Sequence, residues 1–198
     1  MRGSHVIAFR TGIAIPFIAF SLCLGACQSS APVPLGKGVE TQGLAKLLEK
    51  NPVDVAVAPI QNAAGRDVPA SVLRACFQQE LVSRRYSPLA LDFVDRNVVD
   101  ASYTPGASNE QAVMLIEIER WDTSLFKTHN AISTRMQVRM LDAQSGEELW
   151  TGRVDGRYDF GSALGNLPTE SARVQHACKT IAAEILEKLP ARDPLIRS

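Results

Sequence analysis

Between residues 132 and 141 polar and apolar side chains alternate without a break. Ile132, Thr134, Met136, Val138 and Met140 fall on one side, and Ser133, Arg135, Gln137 and Arg139 on the other. A period of two is that of an extended strand, and one polar side makes it a half-buried antiparallel strand with a wet face. Residues 142–147 (DAQSGE) then predict a hairpin turn, with a return strand over 149–158 and an earlier strand over 112–119 (AVMLIEIE). Residues 53–60 (VDVAVAPI) carry small and branched apolar residues on both faces, the pattern of a central strand. Two segments switch to helical spacing. Behind Pro69, placed where a missing N–H costs nothing, Val72, Leu73, Cys76, Phe77 and Leu81 form one apolar stripe. Behind Thr169, a capping residue, Val174, Cys178, Ile181, Ile185 and Leu189 form another, stopped by Pro190. Shorter signals predict a helix over 41–50, with Leu44, Leu47 and Leu48 on one side, a strand over 88–91, and one or two helical turns over 95–101.

The order is therefore β-α-β, a three-stranded meander and a helix. It predicts an α+β fold: a two-layer sandwich in which a mixed five-stranded sheet carries amphipathic helices on one face. The first two strands, joined by a right-handed crossover, are expected to be parallel. There are no internal repeats.

A different pattern occupies the N-terminus. Arg2 and Arg10 precede an apolar run over residues 11–22 (TGIAIPFIAFSL), too short at about a dozen residues to span a bilayer, which takes roughly 20. Leu24-Gly25-Ala26-Cys27 follows it. Such a segment is a processed export signal. The tetrapeptide resembles the lipobox of bacterial lipoproteins, which implies removal of residues 1–26 and lipidation of Cys27. A plain secretory signal cut after Ala26 would leave Cys27 as an ordinary thiol. Two or more acyl chains hold a protein stably on a membrane. Gln28 stands where, by the enteric sorting rule, an Asp retains the protein at the inner membrane, so the expected place is the periplasmic face of the outer membrane. Residues 28–39 (QSSAPVPLGKGV) have linker composition. The expected organisation is thus a signal at 1–26, a lipidated Cys27 with linker to residue 52, a periplasmic domain over 53–190 and a tail over 191–198.

Charge adds an exclusion. Lys plus Arg number 21 and Asp plus Glu 21, and the signal removes two arginines, so the mature chain is weakly acidic with mixed signs. It offers no electrostatic footprint for nucleic acid. Cysteine usage adds a question. With Cys23 lost in the signal and Cys27 lipidated, Cys76 and Cys178 remain, both on apolar helix stripes. In an oxidising compartment they form either one disulfide or two buried thiols, and both readings stay open.

Three phrases resemble one group of envelope lipoproteins. They are Val55-Ala56-Val57-Ala58-Pro59-Ile60-Gln61-Asn62, then Glu80-Leu81-Val82-Ser83-Arg84-Arg85-Tyr86-Ser87-Pro88-Leu89, and residues 138–150 (VRMLDAQSGEELW). The group is built on the fold of the TolB N-terminal domain. It includes the curli-secretion channel lipoprotein, the lipoprotein activator of a penicillin-binding protein, and small lipoproteins of neisserial surface-antigen type. The last branch is the most similar. The resemblance implies a non-enzymatic binding or scaffold module in envelope assembly or secretion. Its alternatives are an activator of a penicillin-binding protein in cell-wall synthesis, or an accessory lipoprotein of an ABC lipid-transport system. The implied partners are the outer membrane, through the lipid, and an envelope protein, with homo-oligomerisation left open. The curli channel's two extra amphipathic hairpins have no counterpart in this chain.

No constellation in the sequence carries chemistry. His129 and His176 stand alone, no grouping has metal-ligand spacing, and no cofactor is expected. Gly161-Ser162-Ala163-Leu164-Gly165 lacks both the serine position and the strand context of a nucleophile elbow. Residues 61–66 form an ordinary turn between strand and helix. Trp121, Leu125 and Phe126 crowd a polar segment between two strands. They either anchor a partner or cover the end of the sheet.

Overall fold

A computed structural model describes residues 38–65, 68–99 and 102–195. The signal segment, Cys27 and most of the linker lie outside the described residues, as do Arg66 and Asp67 in the turn ahead of the first long helix.

The first elements are β1 (Glu40–Gln42), α1 (Leu44–Lys50), β2 (Asp54–Val57) and β3 (Gln61–Asn62). Next come α2 (Ala70–Ser83), β4 (Ser87–Pro88), α3 (Leu91–Asp95), β5 (Val98–Val99) and β6 (Ser102–Tyr103). The meander is β7 (Ala112–Asp122), α4 (Phe126–His129), β8 (Ala131–Asp142) and β9 (Glu148–Asp159), and the chain closes with α5 (Gly161–Gly165) and α6 (Glu170–Leu186).

The sheet is mixed, in the order β1-β9-β8-β7-β2-β4. The β7–β8–β9 meander and β1 are antiparallel neighbours, while β2 runs parallel to both β7 and β4. The expected β-α-β unit is therefore present. Counting β3, which continues along β7 at Glu117 and Ile118, the sheet has seven strands instead of the expected five. Pro59 separates β2 from β3 because it has no N–H to give the ladder. The other addition is β1, three exposed residues held by backbone pairing to residues 151–153. α1 follows it and buries Leu47 in the core, leaving Leu44 and Leu48 about half exposed. Folded structure thus starts ahead of residue 53. The C-terminal segment is tied down as well: Tyr86 Oη donates to Pro190 O at 3.0 Å, and Asn51 Nδ2 donates to Asp193 O at 2.8 Å.

The main core lies on the face covered by α2 and α6. Met114, Ile116, Ile118, Met136, Val138, Val154 and Tyr158 point there from the meander. Leu73, Cys76, Phe77 and Leu81 of α2 meet them, with Cys178, Ile181 and Ile185 of α6. Each such aliphatic or aromatic side chain contributes roughly 1.5–3 kcal/mol on leaving water. Thr169 caps α6 by accepting from Ala172 N at 3.1 Å. Helices on one face describes this layer, but α3 and the β5–β6 hairpin lie on the other side. There Val94 and Tyr103 cover Ala56, Ala58 and Val113. This second layer occupies the stretch read as helical turns over 95–101; Leu91, read as the end of a strand, starts α3. Arg74 ties the layers together. Its buried guanidinium donates from Nε (3.0 Å) and Nη2 (2.6 Å) to Val57 O, and from Nη1 to Asp95 Oδ1 at 2.5 Å.

Over β8 and β9 the second face stays polar, as the alternation predicts. Asp155 holds Arg135 at 2.7 Å and Arg120 at 2.5 Å, and these arginines keep its carboxyl below the ordinary carboxylate range. These groups are nearly half exposed, so the pairs contribute little to stability.

Candidate functional site

At residue 118 the strand alternation on β7 breaks. Ile118 pairs with Met136, but the next pairs are Arg120 with Arg135 and Trp121 with Thr134. Glu119 is the extra residue of a β-bulge, which inverts the facing of everything beyond it. Arg120 turns to the polar face and Trp121 to the core. The expected end of this strand at residue 119 is therefore corrected: residues 120–122 complete β7, and Trp121 is 2% exposed. Phe126 opens α4 and is 6% exposed, while Leu125 just before it is half-buried. Trp121 and Phe126 belong to the main core, so they are not free-standing anchors within a wet rim.

The segment from 122 to 130 is pinned from several sides. Ser124 N donates to Asp122 Oδ1 at 2.9 Å, and Phe126 N to Thr123 O at 2.9 Å. From α6, Arg173 Nη2 donates to Asn130 Oδ1 (2.7 Å) and Phe126 O (3.2 Å), its guanidinium 5.2 Å from the centre of the Phe126 ring. We expect Trp121→Ser and Phe126→Ser each to lower stability by about 3 kcal/mol, as a lowered melting temperature in calorimetry. An unchanged melting temperature would return both rings to the surface.

Between this segment and the start of α6 lies a cavity of about 280 Å³. Trp121, Phe126, Ile132, Val174 and Cys178 give it apolar walls, with Pro69 beside them. Thr123, Ser124, Lys127 and Glu170 form a polar margin, where Lys127 Nζ lies 3.9 Å from Glu170 Oε1. The sequence reading named Trp121 and Phe126 but missed Val174 and Cys178 as their partners. The only signal was that both belong to the apolar stripe of α6.

Cys76 and Cys178, expected as one bridge or two thiols, are free and buried in the structure, on the helices that pack against each other. Burial pushes the Cys76 thiol up, and it pushes Cys178 to about 12, with the nearby Cys76 adding to the effect. Both are thus protonated at neutral pH and poor nucleophiles. Thiol titration of the unfolded, unreduced mature protein should find both. Finding none would establish the bridge, whose loop of roughly 100 residues adds up to ~4 kcal/mol in the chain-entropy account.

Ser162 lies on α5, a one-turn helix. His129 ends α4, next to Thr128, and His176 lies on α6. Among the described residues, no group of three His, Cys, Asp or Glu side chains could hold a metal ion, and no helix is long and apolar enough to cross a membrane.

No protein-family model and no curated protein matches the sequence. Solved structures do match the fold. The PelC dodecamer from Paraburkholderia phytofirmans is similar at a TM-score of 0.52 and 14% identity, over 79% of this chain and 99% of that one. Lipoprotein GNA1162 from Neisseria meningitidis matches at a TM-score of 0.46 and 16% identity, over 70% of this chain and 99% of that one. The C-terminal domain of LpoB from Salmonella enterica matches at 0.41 and 13%, over 59% and 93%. The α+β sandwich expected from the sequence is therefore the fold this chain has, and it shares that fold with PelC.

Proposed function

We propose that this chain is a lipid-anchored module of the bacterial outer membrane, held by Cys27 on the periplasmic face. It works by binding envelope proteins, copies of itself included, and not by catalysis. The observation that carries this reading is the sandwich fold shared with PelC, which assembles as a dodecamer, placed directly behind Leu24-Gly25-Ala26-Cys27. The anchor and the assembly are separable properties, and each has its own test.

The anchor also bounds reach. The described fold starts at Gly38, and the residues from Cys27 to there span at most about 40 Å when fully extended. The domain therefore works close to its membrane. This favours assembly on the membrane surface over an activator that must cross the cell-wall mesh to an inner-membrane enzyme.

Cys27→Ser should abolish labelling by a palmitate analogue and shift the protein from the outer-membrane fraction to a soluble or unprocessed form. Retained labelling in the outer membrane would remove the anchor from the account. Sedimentation of the detergent-extracted wild type should show a multi-subunit particle. A monomer at every concentration would remove self-assembly and leave binding to another envelope protein.

A further inference from the structure

We propose that β1 is a self-pairing edge, along which a second copy of this chain docks strand to antiparallel strand, so that the two sheets run on as one. The inference rests on the self-assembly proposed above and names the surface that carries it. The sheet ends in β1 on one side and β4 on the other. An exposed edge presents unpaired N–H and C=O groups, and Pro, Lys or a covering element usually blunts it. β4, two residues long, is blunted by Pro88. β1 consists of Glu40, Thr41 and Gln42, all exposed, with neither Pro nor Lys. Among the described residues β9 is its one strand partner, so its outer side is open to a further strand.

Symmetry restricts the register. Hydrogen-bonded and open pairs alternate along an antiparallel ladder, so a two-fold axis between identical strands falls on a residue and not between two. An axis at Glu40 sets two carboxylates directly opposite each other, which is unfavourable. An axis at Gln42 sets Thr41 opposite Gly43, where the chain leaves the strand at a φ of +85°. An axis at Thr41 uses the whole strand. Thr41 then faces its own counterpart, a favourable cross-strand pair, and each Glu40 faces a Gln42 whose amide donates to the carboxylate.

An apolar flank follows the strand. Leu44 and Leu48 lie one helical turn apart on α1 and are 51% and 48% exposed, while Leu47 between them is buried. The axis stands perpendicular to the sheet, so it keeps like faces on the same side and sets both α1 helices beside the join. Covering Leu44 and Leu48 there adds apolar burial to the backbone bonds. A join of three residue pairs is small. Copies tethered to one membrane meet at a high effective concentration, which suits an interface of this size.

Thr41→Cys places a thiol on the axis. In isolated membranes a short bismaleimide should convert this variant to a covalent dimer, with far less dimer from Ser87→Cys on β4. Cys76 and Cys178 do not compete, being buried with thiols pushed up in pKa. Charge at residue 42 gives a second readout, by sedimentation of the detergent-extracted protein. Gln42→Glu opposes Glu40 with another carboxylate and should weaken association about tenfold, since symmetry counts the substitution twice. Gln42→Lys should strengthen it by a similar factor. Leu44→Glu with Leu48→Glu should weaken it at least as much as Gln42→Glu. All these side chains are exposed, so melting temperatures should stay near that of the wild type. Equal dimer from Thr41→Cys and Ser87→Cys, crosslinking of Thr41→Cys to a different protein in place of itself, or a shift in the same direction for both charges at residue 42 would each overturn the proposal. A multi-subunit particle indifferent to all these substitutions would end this interface and leave self-assembly standing; a wild type that is monomeric at every concentration would end both.

Discussion

Gly43→Ala is expected to destabilise the protein by about 4 kcal/mol, read as a shift of the urea midpoint with an unchanged slope. Gly43 joins β1 to α1 with φ at +85°, a conformation in which an L side chain meets its own backbone. Space is the larger obstacle. A Cβ at Gly43 would sit 2.5 Å from Leu149 O, 2.9 Å from Leu149 C and 3.0 Å from Trp150 Cα, all backbone of β9. Nothing there can yield by a rotamer change. Either β9 moves, where Leu149 and Trp150 are both fully buried, or β1 and α1 lift off and Leu47 leaves the core. Overpacking and backbone strain add in this position. A loss below 1 kcal/mol would show that β1 and α1 are not packed as described.

Gly152→Val should cost a similar amount for a different reason. Its Cβ would lie 2.5 Å from Cη2 and 2.9 Å from Cζ2 of Trp150, whose indole folds back over the glycine two residues on. Trp150 is 0% exposed and pairs with Met140 across the sheet, so the ring has nowhere to go. Because the clash is with a side chain, it can be relieved. In the double variant Trp150→Leu with Gly152→Val, the two losses should sum to clearly more than the measured one, a coupling of 1 kcal/mol or more. Strict additivity would mean that the indole does not rest on Gly152.

Both sites also show why the sequence was legible in some places and not in others. Residues 132–140 alternate without interruption because β8 is regular and one face is wet, and their facing is found as read. The stripes of α2 and α6 were legible for the same reason: one periodicity, one buried face. β1 was not legible, because Glu40, Thr41 and Gln42 have no apolar side and are held by backbone hydrogen bonds alone. Bulges hid the rest. An extra residue at Glu119 sends Trp121 inward, against the phase set by Ala112, Met114, Ile116 and Ile118. A second irregularity, at Leu149, lets Leu149 and Trp150 both be buried. The cavity gathers Pro69, residues 121–132 and residues 170–178 from three distant parts of the chain, and no local pattern announces such a meeting.

The central claim is that the fold hangs from a lipid on Cys27, and the most direct measurement is the mass of one peptide. Lys37 is the first basic residue after Cys27, so trypsin releases residues 27–37 from the membrane-extracted protein as a single N-terminal fragment. The account predicts that this fragment begins at Cys27 and carries lipid on it, with no unmodified form in the membrane fraction. A mature chain starting at any other residue, or a free thiol on Cys27, would contradict it.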